Sequence, residues 1–282
     1  MTRNKKQSTM ILLYLFLIIV GIILIYPFLW LIGASFNETY TLRADPNIWP
    51  KNPSLSGYLN GWKGSGAVGF STFFINTYRY VFFKVIFTVF SVIITAYGFS
   101  RFEFPGKKIW FSILIGTLLF PHVVTLVPNY IIFTKLHWVN TYLPMLVPAL
   151  FAGDTYFVYL LYQFLRAIPR DMDEAAMIDG CGPIRRLIQI LLPILQPSIV
   201  TIILFQFIWT GNDFLNPMIF ISSETKFPVS VGLKMFIDST GSLISWASIF
   251  AMSTLAILPP LIVFIFAQRT FIEGISTSGL KG

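Results

Sequence analysis

Few side chains in this sequence are equipped for covalent chemistry, and their spacing argues against a catalytic centre. The 282 residues include two histidines, His122 and His137, and one cysteine, Cys181. Zinc sites draw on His, Cys and carboxylates at short regular spacings, and neither H-E-x-x-H nor a comparable arrangement occurs. A lone cysteine excludes an intrachain disulfide and a cysteine-based cluster. No metal and no catalytic residue is expected, and His122, flanked by Pro121 and Val123, reads as a packed or pore-edge polar residue. There is no G-x-x-x-x-G-K-[ST] phosphate loop. The single Gly-Lys pair, Gly106–Lys107, is followed by Lys108, so the chain has no recognisable ATP cradle of its own. Two kinds of polar feature remain. One is a set of isolated polar residues inside apolar runs, Asp154 the clearest. The other is the charged, small-residue stretch DEAAMIDGCGPIRRLIQILLP, Asp173 to Pro193.

The elements that must position these residues are membrane spans. Hydrophobic residues make up 55% of the chain and charged ones 11%, where a globular protein carries about a quarter charged. The apolar residues fall in long runs, and a spanning helix needs ~20 of them. Six runs qualify: 10–34, 80–100, 109–133 (broken by Pro121 and Pro128), 141–165 (with Pro144, Pro148 and a central Gly153–Asp154), 190–209 and 246–267. The expected fold is an all-α integral membrane protein with six transmembrane helices, a single transmembrane domain over 1–282. The first run is too long for the 7–15-residue apolar region of a signal peptide, so it reads as an uncleaved span.

The net charge of +8 does not point to nucleic acid, because the basic residues are spread through short loops between apolar runs. One set of loops holds Arg3, Lys5, Lys6, Arg101, Lys107, Lys108, Arg166, Arg170, Arg185, Arg186, Arg269 and Lys281. The other holds Arg43, Lys51, Lys63, Arg79, Lys135, Lys226 and Lys234. The positive-inside bias places both termini in the cytoplasm of a multi-pass membrane protein. Lys84 sits a turn inside the second run; it is either a functional charge or, the favoured reading, a stem that snorkels toward the outer interface near Tyr78 and Tyr80. The pieces Asn37–Thr77 and Gly211–Ser245 fall outside.

The segment 169–193 then lies on the cytoplasmic side, between the fourth and fifth spans. Pro169 suits a helix first turn, and Asp171, Asp173 and Glu174 complement the positive end of a helix dipole. Gly180 is able to adopt the left-handed conformation that ends a helix, and Gly182–Pro183 restarts one. Two short helices with a tight bend follow, the second continuing to a kink at Pro193. Ala175 and Ala176 allow close approach by a partner surface; the alternative is an amphipathic helix at the membrane surface.

EAAMIDGCGPIRRLIQILLP resembles the EAA loop of ABC importer permeases, E-A-A, three residues, G, nine residues, I-x-L-P. Glu174, Ala175, Ala176, Gly180, Ile190, Leu192 and Pro193 fill its fixed positions. YGFSRFEFPGKK (97–108), WTGNDFLNPMIF (209–220, a looser match at Thr210–Gly211), FPVSVGLKMF (227–236) and the terminal 268–282 resemble segments of carbohydrate uptake permeases, the maltose and multiple-sugar type, second permease. The resemblance implies that Asp173, Glu174, Ala175, Ala176, Asp179, Gly180, Gly182, Ile190, Leu192 and Pro193 dock into ATPase subunits. It implies half of a translocation path for a sugar or oligosaccharide. The implied partners are a homologous second permease, two ATP-binding subunits that bind ATP and Mg, an extracytoplasmic solute-binding protein and membrane lipid. No cofactor is expected on this chain. For the path, Asp154 either faces solute or serves as structural partner to another polar group in the membrane. Tyr156 and Tyr159 either stack on sugar rings or pack as an interface belt. Asn212 and Asp213 either line an outer mouth or cap a helix. Another polar solute such as glycerol phosphate, or an ATPase-independent channel or carrier, is the alternative function.

Overall fold

A backbone surrounded by lipid must satisfy its own amides, and the apolar runs do so as helices. The computed structural model describes residues 2–37, 48–50, 52–64, 68–238 and 245–279. Arg43, Lys51 and Lys281, counted in the charge asymmetry, lie outside the described residues. The helices are α1 (Thr2–Ser35), α2 (Ser56–Lys63), α3 (Phe70–Arg101), α4 (Lys107–Leu118), α5 (His122–Lys135), α6 (Leu143–Leu150), α7 (Thr155–Ala167), α8 (Asp171–Ile178), α9 (Pro183–Arg186), α10 (Leu192–Gly211), α11 (Leu215–Phe220), α12 (Val229–Asp238) and α13 (Trp246–Gly279).

Five stretches are long and apolar enough to cross a membrane: Thr9–Ser35, Phe70–Arg101, Leu143–Ala167, Pro183–Gly211 and Trp246–Gln268. The sixth expected span, 109–133, is the pair α4 and α5, bent by 107°. Pro121, extended at φ −60° and ψ 127°, stands at the bend. Proline removes a helical donor and biases the preceding residue away from helix, so the break falls where the ring is. α5 stops at His137, whose φ of 56° is left-handed. There the amide of Trp138 donates to the Phe133 carbonyl at 2.9 Å, and that of His137 to Thr134 at 3.0 Å. This is a Schellman stop with a non-glycine residue in the strained position.

The chain forms two compact units. The first comprises Met1–Ser71 and Gly232–Leu258. Within it, α2 crosses α13 at Gly57 and Gly61. A Cβ on Gly57 would sit 2.8 Å from the Ala247 carbonyl oxygen, and one on Gly61 would sit 2.9 Å from Met252 Cγ. Ala247 and Ala251 on the facing helix are themselves fully buried. Small residues four apart on both helices let the backbones approach, the packing expected of spans. α2 falls inside the 37–77 piece, which the sequence reading left without regular structure.

The second unit comprises Thr72–Val231 and Pro259–Gly282. Its largest core joins α3, α7 and α10 through Val92, Ala96, Phe157, Leu161, Leu195 and Ile202. A smaller cluster gathers Tyr80, Met145, Phe220 and Ile221. The expected fourth span is two helices, α6 and α7. Ala152 at φ 57° ends α6, with the Gly153 amide donating 2.9 Å back to Pro148. Gly153 is required here, since a Cβ would lie 2.6 Å from that same carbonyl oxygen.

The segment expected at 169–193 folds as α8, a tight bend and α9. Gly180 takes φ 74°, the Cys181 amide donates to Ala176 at 2.9 Å and that of Gly180 to Met177 at 3.0 Å, a second Schellman stop. Pro183 opens α9. Pro169, by contrast, precedes the helix, because Arg170 is the N-cap residue of α8. At the fifth span a π-helical turn, Leu187–Leu191, joins α9 to α10. Pro193 has no amide to donate to Gln189, and the wider turn absorbs the lost register without interrupting the helix.

Candidate functional site

Breaking a span in its middle exposes carbonyls and amides that the helix would have paired. Three polar side chains of α3, Lys84, Thr88 and Ser91, fall on one face at helical spacing and meet this break. Ser91 Oγ donates to the Ala149 carbonyl at 2.5 Å. Thr88 Oγ1 donates to Asp154 Oδ2 at 2.5 Å. Lys84 Nζ lies 3.2 Å from the same oxygen, with the side chains of Lys84 and Asp154 13% and 23% exposed. The expectation that Lys84 snorkels outward is therefore corrected. Its ammonium is held inside by a carboxylate seventy positions further along the chain.

This ion pair stands in the wall of a cavity of about 720 Å³. The polar wall includes Asn129, Gln206, Asp213 and Asn216, and Trp209 and Tyr80 contribute aromatic surface. Asp213 Oδ1 accepts from the Asn216 amide at 3.2 Å and Oδ2 from its side chain at 2.9 Å. Gln206 Nε2 donates to Thr210 Oγ1 at 3.1 Å, both side chains facing the cavity wall. A wall of alternating donors and acceptors beside aromatic rings suits a polyhydroxylated solute, whose hydroxyls do both and whose C–H faces pack on rings.

Of the five path candidates, Asp154 and Asp213 line this cavity, and Tyr156, Tyr159 and Asn212 do not. Tyr156 is outside the wall and packs behind it, its ring 5.6 Å from Trp209 and 5.4 Å from Phe157. The Tyr159 hydroxyl accepts from Gln163 Nε2 at 2.5 Å, one helical turn on. The amide of Asn212 closes α10 by donating to Ile208 at 3.1 Å, which is the helix-cap alternative for that residue. Asp213 lines the cavity while its carboxylate accepts from Asn216 in the first turn of α11. Asn129, Gln206 and Trp209 were missed, although the first two carry the signal of a polar residue inside an apolar run, and Lys84 was noticed for that signal but read as snorkelling.

The second candidate site is the segment 169–193. Asp173 was expected to face a partner; it is instead buried, its Oδ2 2.8 Å from Arg101 Nε and its Oδ1 3.1 Å from Arg186 Nε. One carboxylate between two buried guanidinium groups ties α8 to the end of α3 and to α9. The Tyr97 hydroxyl reinforces this by donating to the Pro183 carbonyl at 3.0 Å, and Arg101 Nη2 donates to the Ile168 carbonyl at 3.1 Å. Ala176 is also buried, against this chain. Glu174, Ala175, Asp179, Gly180, Gly182 and Pro193 are exposed, and Ile190 and Leu192 are half-buried. Ile178 is 88% exposed and Met177 53%, an apolar tip that the sequence reading did not single out.

Several spans, one broken over a polar cavity, and a two-helix segment clamped to their ends define a membrane permease. The sequence matches the family "Binding-protein-dependent transport system inner membrane component" over residues 6–272, and the chain belongs to that family. It is 29% identical to the trehalose/maltose transport system permease protein MalG of Thermococcus litoralis, over 96% of this chain and 97% of that one. It is 27% identical to the diacetylchitobiose uptake system permease protein NgcG of Streptomyces coelicolor, over 92% of this chain and 85% of that one. Among solved structures it is similar to a chain of a bacterial ABC transporter involved in import of the acidic polysaccharide alginate, with TM-score 0.83, 21% identity and coverage of 95% and 98%. At that identity the likeness speaks for the fold.

Proposed function

We propose that this permease forms half of the path through which an ABC importer takes up an uncharged sugar or oligosaccharide. The observation that carries the choice of solute is electrostatic. Lys84 is the only cation in the described cavity wall; Asp154 compensates it, and Asp213 adds a further carboxylate. An anion such as glycerol phosphate would meet no free positive charge there, and like charges in a confined cavity repel. Neutral hydroxyls would meet Asn129, Gln206, Asn216 and both carboxylates as partners. The names of the relatives, trehalose/maltose and diacetylchitobiose systems, support the same class.

The machinery around the chain follows from the family. A homologous permease supplies the other half of the path, and an extracytoplasmic binding protein delivers solute. Two ATPase subunits, which hold the ATP and Mg, grip the exposed side of the 169–193 segment. Glu174, Ala175, Asp179 and Gly180 with the apolar Ile178 make that surface, while Asp173 and the buried Ala176 hold it to the spans. The charge asymmetry supports a cytoplasmic position for the segment and both termini. Closure of the ATPases then moves α8 and α9, and through them the walls of the cavity.

The test uses the whole importer in proteoliposomes with its binding protein. ATP-dependent uptake of radiolabelled neutral oligosaccharides, among them maltose, trehalose and diacetylchitobiose, is compared with uptake of glycerol phosphate. At least one neutral sugar should accumulate and glycerol phosphate should not. The reverse pattern would overturn the solute class, and uptake that survives removal of the ATPases would overturn the importer reading.

A further inference from the structure

A second recess, of about 460 Å³, opens between the end of α3, the start of α4 and the end of α7. Arg101, Lys107, Arg166 and Arg170 line it, with Phe99 and Tyr162 as aromatic wall. Two of the four cations are already matched: Arg101 by Asp173 at 2.8 Å, and Lys107 by Glu103 at 2.8 Å. Arg166 and Arg170 have no described carboxylate partner. The Arg166 guanidinium lies over the Tyr162 ring, 5.9 Å from its centroid, and Arg170 Nη2 reaches the Ser100 carbonyl at 3.4 Å. The recess thus holds two guanidinium groups outside any described ion pair. The field is felt by Glu103: its hydrogen bond to Lys107, then the charges of Lys107, Arg170 and Lys108, hold this exposed carboxyl below its ordinary value.

The level of the recess decides what it would bind. Arg101 is the last residue of α3, Lys107 the first of α4, and Arg166 belongs to the last turn of α7. All three mark the plane where apolar helix gives way to water, which is the depth of the lipid headgroups. On α4, Trp110 is 59% exposed and Ile113 52%, and at 3.6 residues per turn both fall on the flank of the helix next to the side that carries Lys107 into the recess. A soluble anion would use the cations alone; a phospholipid would use the cations and this flank together.

We infer that the recess binds the phosphate headgroup of an anionic membrane phospholipid, with Arg166 and Arg170 as its anchors and the acyl chains lying along α4. Both arginines present planar donors suited to phosphate oxygens. Basic recesses between span ends on the cytoplasmic side are where such headgroups are held. Arg170 immediately precedes α8, so lipid bound there would contact the same turn that carries the coupling segment.

The assembled importer, extracted in detergent containing equal phosphatidylglycerol and phosphatidylcholine, tests this by native mass spectrometry of retained lipid. Phosphatidylglycerol should be retained preferentially. Arg166→Gln with Arg170→Gln should reduce its retention by about fivefold for each cation removed, while Arg166→Lys with Arg170→Lys keeps most of it. Added inorganic phosphate should not displace the lipid. Equal retention of the two lipids, unchanged retention in the glutamine variant, or displacement by inorganic phosphate would each overturn the assignment. Should the glutamine variant fail to assemble, photoreactive phosphatidylglycerol on the unaltered importer decides: labelling near Trp110–Ile113 supports the site, and labelling confined to other segments overturns it.

Discussion

The Lys84–Asp154 pair offers the sharpest test, because physics predicts a pattern and not just a loss. At 3.2 Å two unit charges attract by about 5 kcal/mol at an effective dielectric constant of ~20. Most of that gain is offset by desolvation, so deleting both partners together should cost little. Deleting one strands the other: breaking a buried pair costs about 3–5 kcal/mol, and the lower end applies here because Asp154 is 23% exposed to the cavity. Asp154→Asn keeps an acceptor for Thr88 but leaves the Lys84 ammonium unpaired, at a penalty of about 2.5–3.5 kcal/mol on membrane-insertion scales. Lys84→Met leaves the carboxylate with Thr88 alone. Thermal unfolding of the purified importer should therefore rank the double variant closest to the unaltered protein and both single variants well below it. The double-mutant coupling energy should come to about 2–3 kcal/mol. Additive single effects would refute the pairing. Transport supplies a second readout: the double variant should recover assembly while uptake stays reduced, since both side chains line the cavity.

Two further substitutions probe the supports of the site. Asp173→Asn leaves Arg101 and Arg186 without their shared carboxylate and should cost about 3–5 kcal/mol, seen as faster limited proteolysis between 171 and 186 and loss of ATPase subunits on purification; unchanged protease resistance would contradict the clamp. Gly57→Leu drives a side chain into the Ala247 carbonyl, 2.8 Å from the Cβ position, and should lower the unfolding midpoint by the equivalent of about 1–3 kcal/mol, whereas Gly21→Leu, with nothing within 4 Å, should not; equal midpoints would refute the close crossing.

The parts of this fold that the sequence discloses are those governed by nearest neighbours along the chain. Apolar run length located five spans and the broken sixth, and Gly180 and Pro183 marked a stop and a restart that the backbone adopts. The Gly153–Asp154 interruption likewise marked the break in the fourth span. What stayed hidden depends on partners far away in sequence. Lys84 reads as an interfacial residue because Tyr78 and Tyr80 are near it in the chain, while the carboxylate that holds it belongs to another helix. Asp173 reads as a charge at a helix start, open to a partner, because nothing local predicts that Arg101 and Arg186 converge on it. Gly57 and Gly61 sit in a stretch with a loop-like composition, and their spacing acquires meaning only once Ala247 and Ala251 face them.

Placed together, the clamp and the cavity suggest how motion would travel between them. Arg101, which grips Asp173, and Lys84, which grips Asp154, belong to the same uninterrupted helix α3. Seventeen residues separate them, about 25 Å of rigid helix. A displacement of α8 is thus delivered to the ion pair beside the broken span with little loss. The second route, from Arg186 to Gln206, passes through the π turn ahead of Pro193, where the Leu192 amide bonds to Leu187, five residues back. Such a turn holds one residue more than the α-helical register and is a place where a helix shifts register or bends at low cost. One connection between clamp and cavity is stiff and the other contains a yielding joint. A tilt of α8 and α9 would then move α3 and α10 unequally, which is what changing the shape of a cavity between them requires.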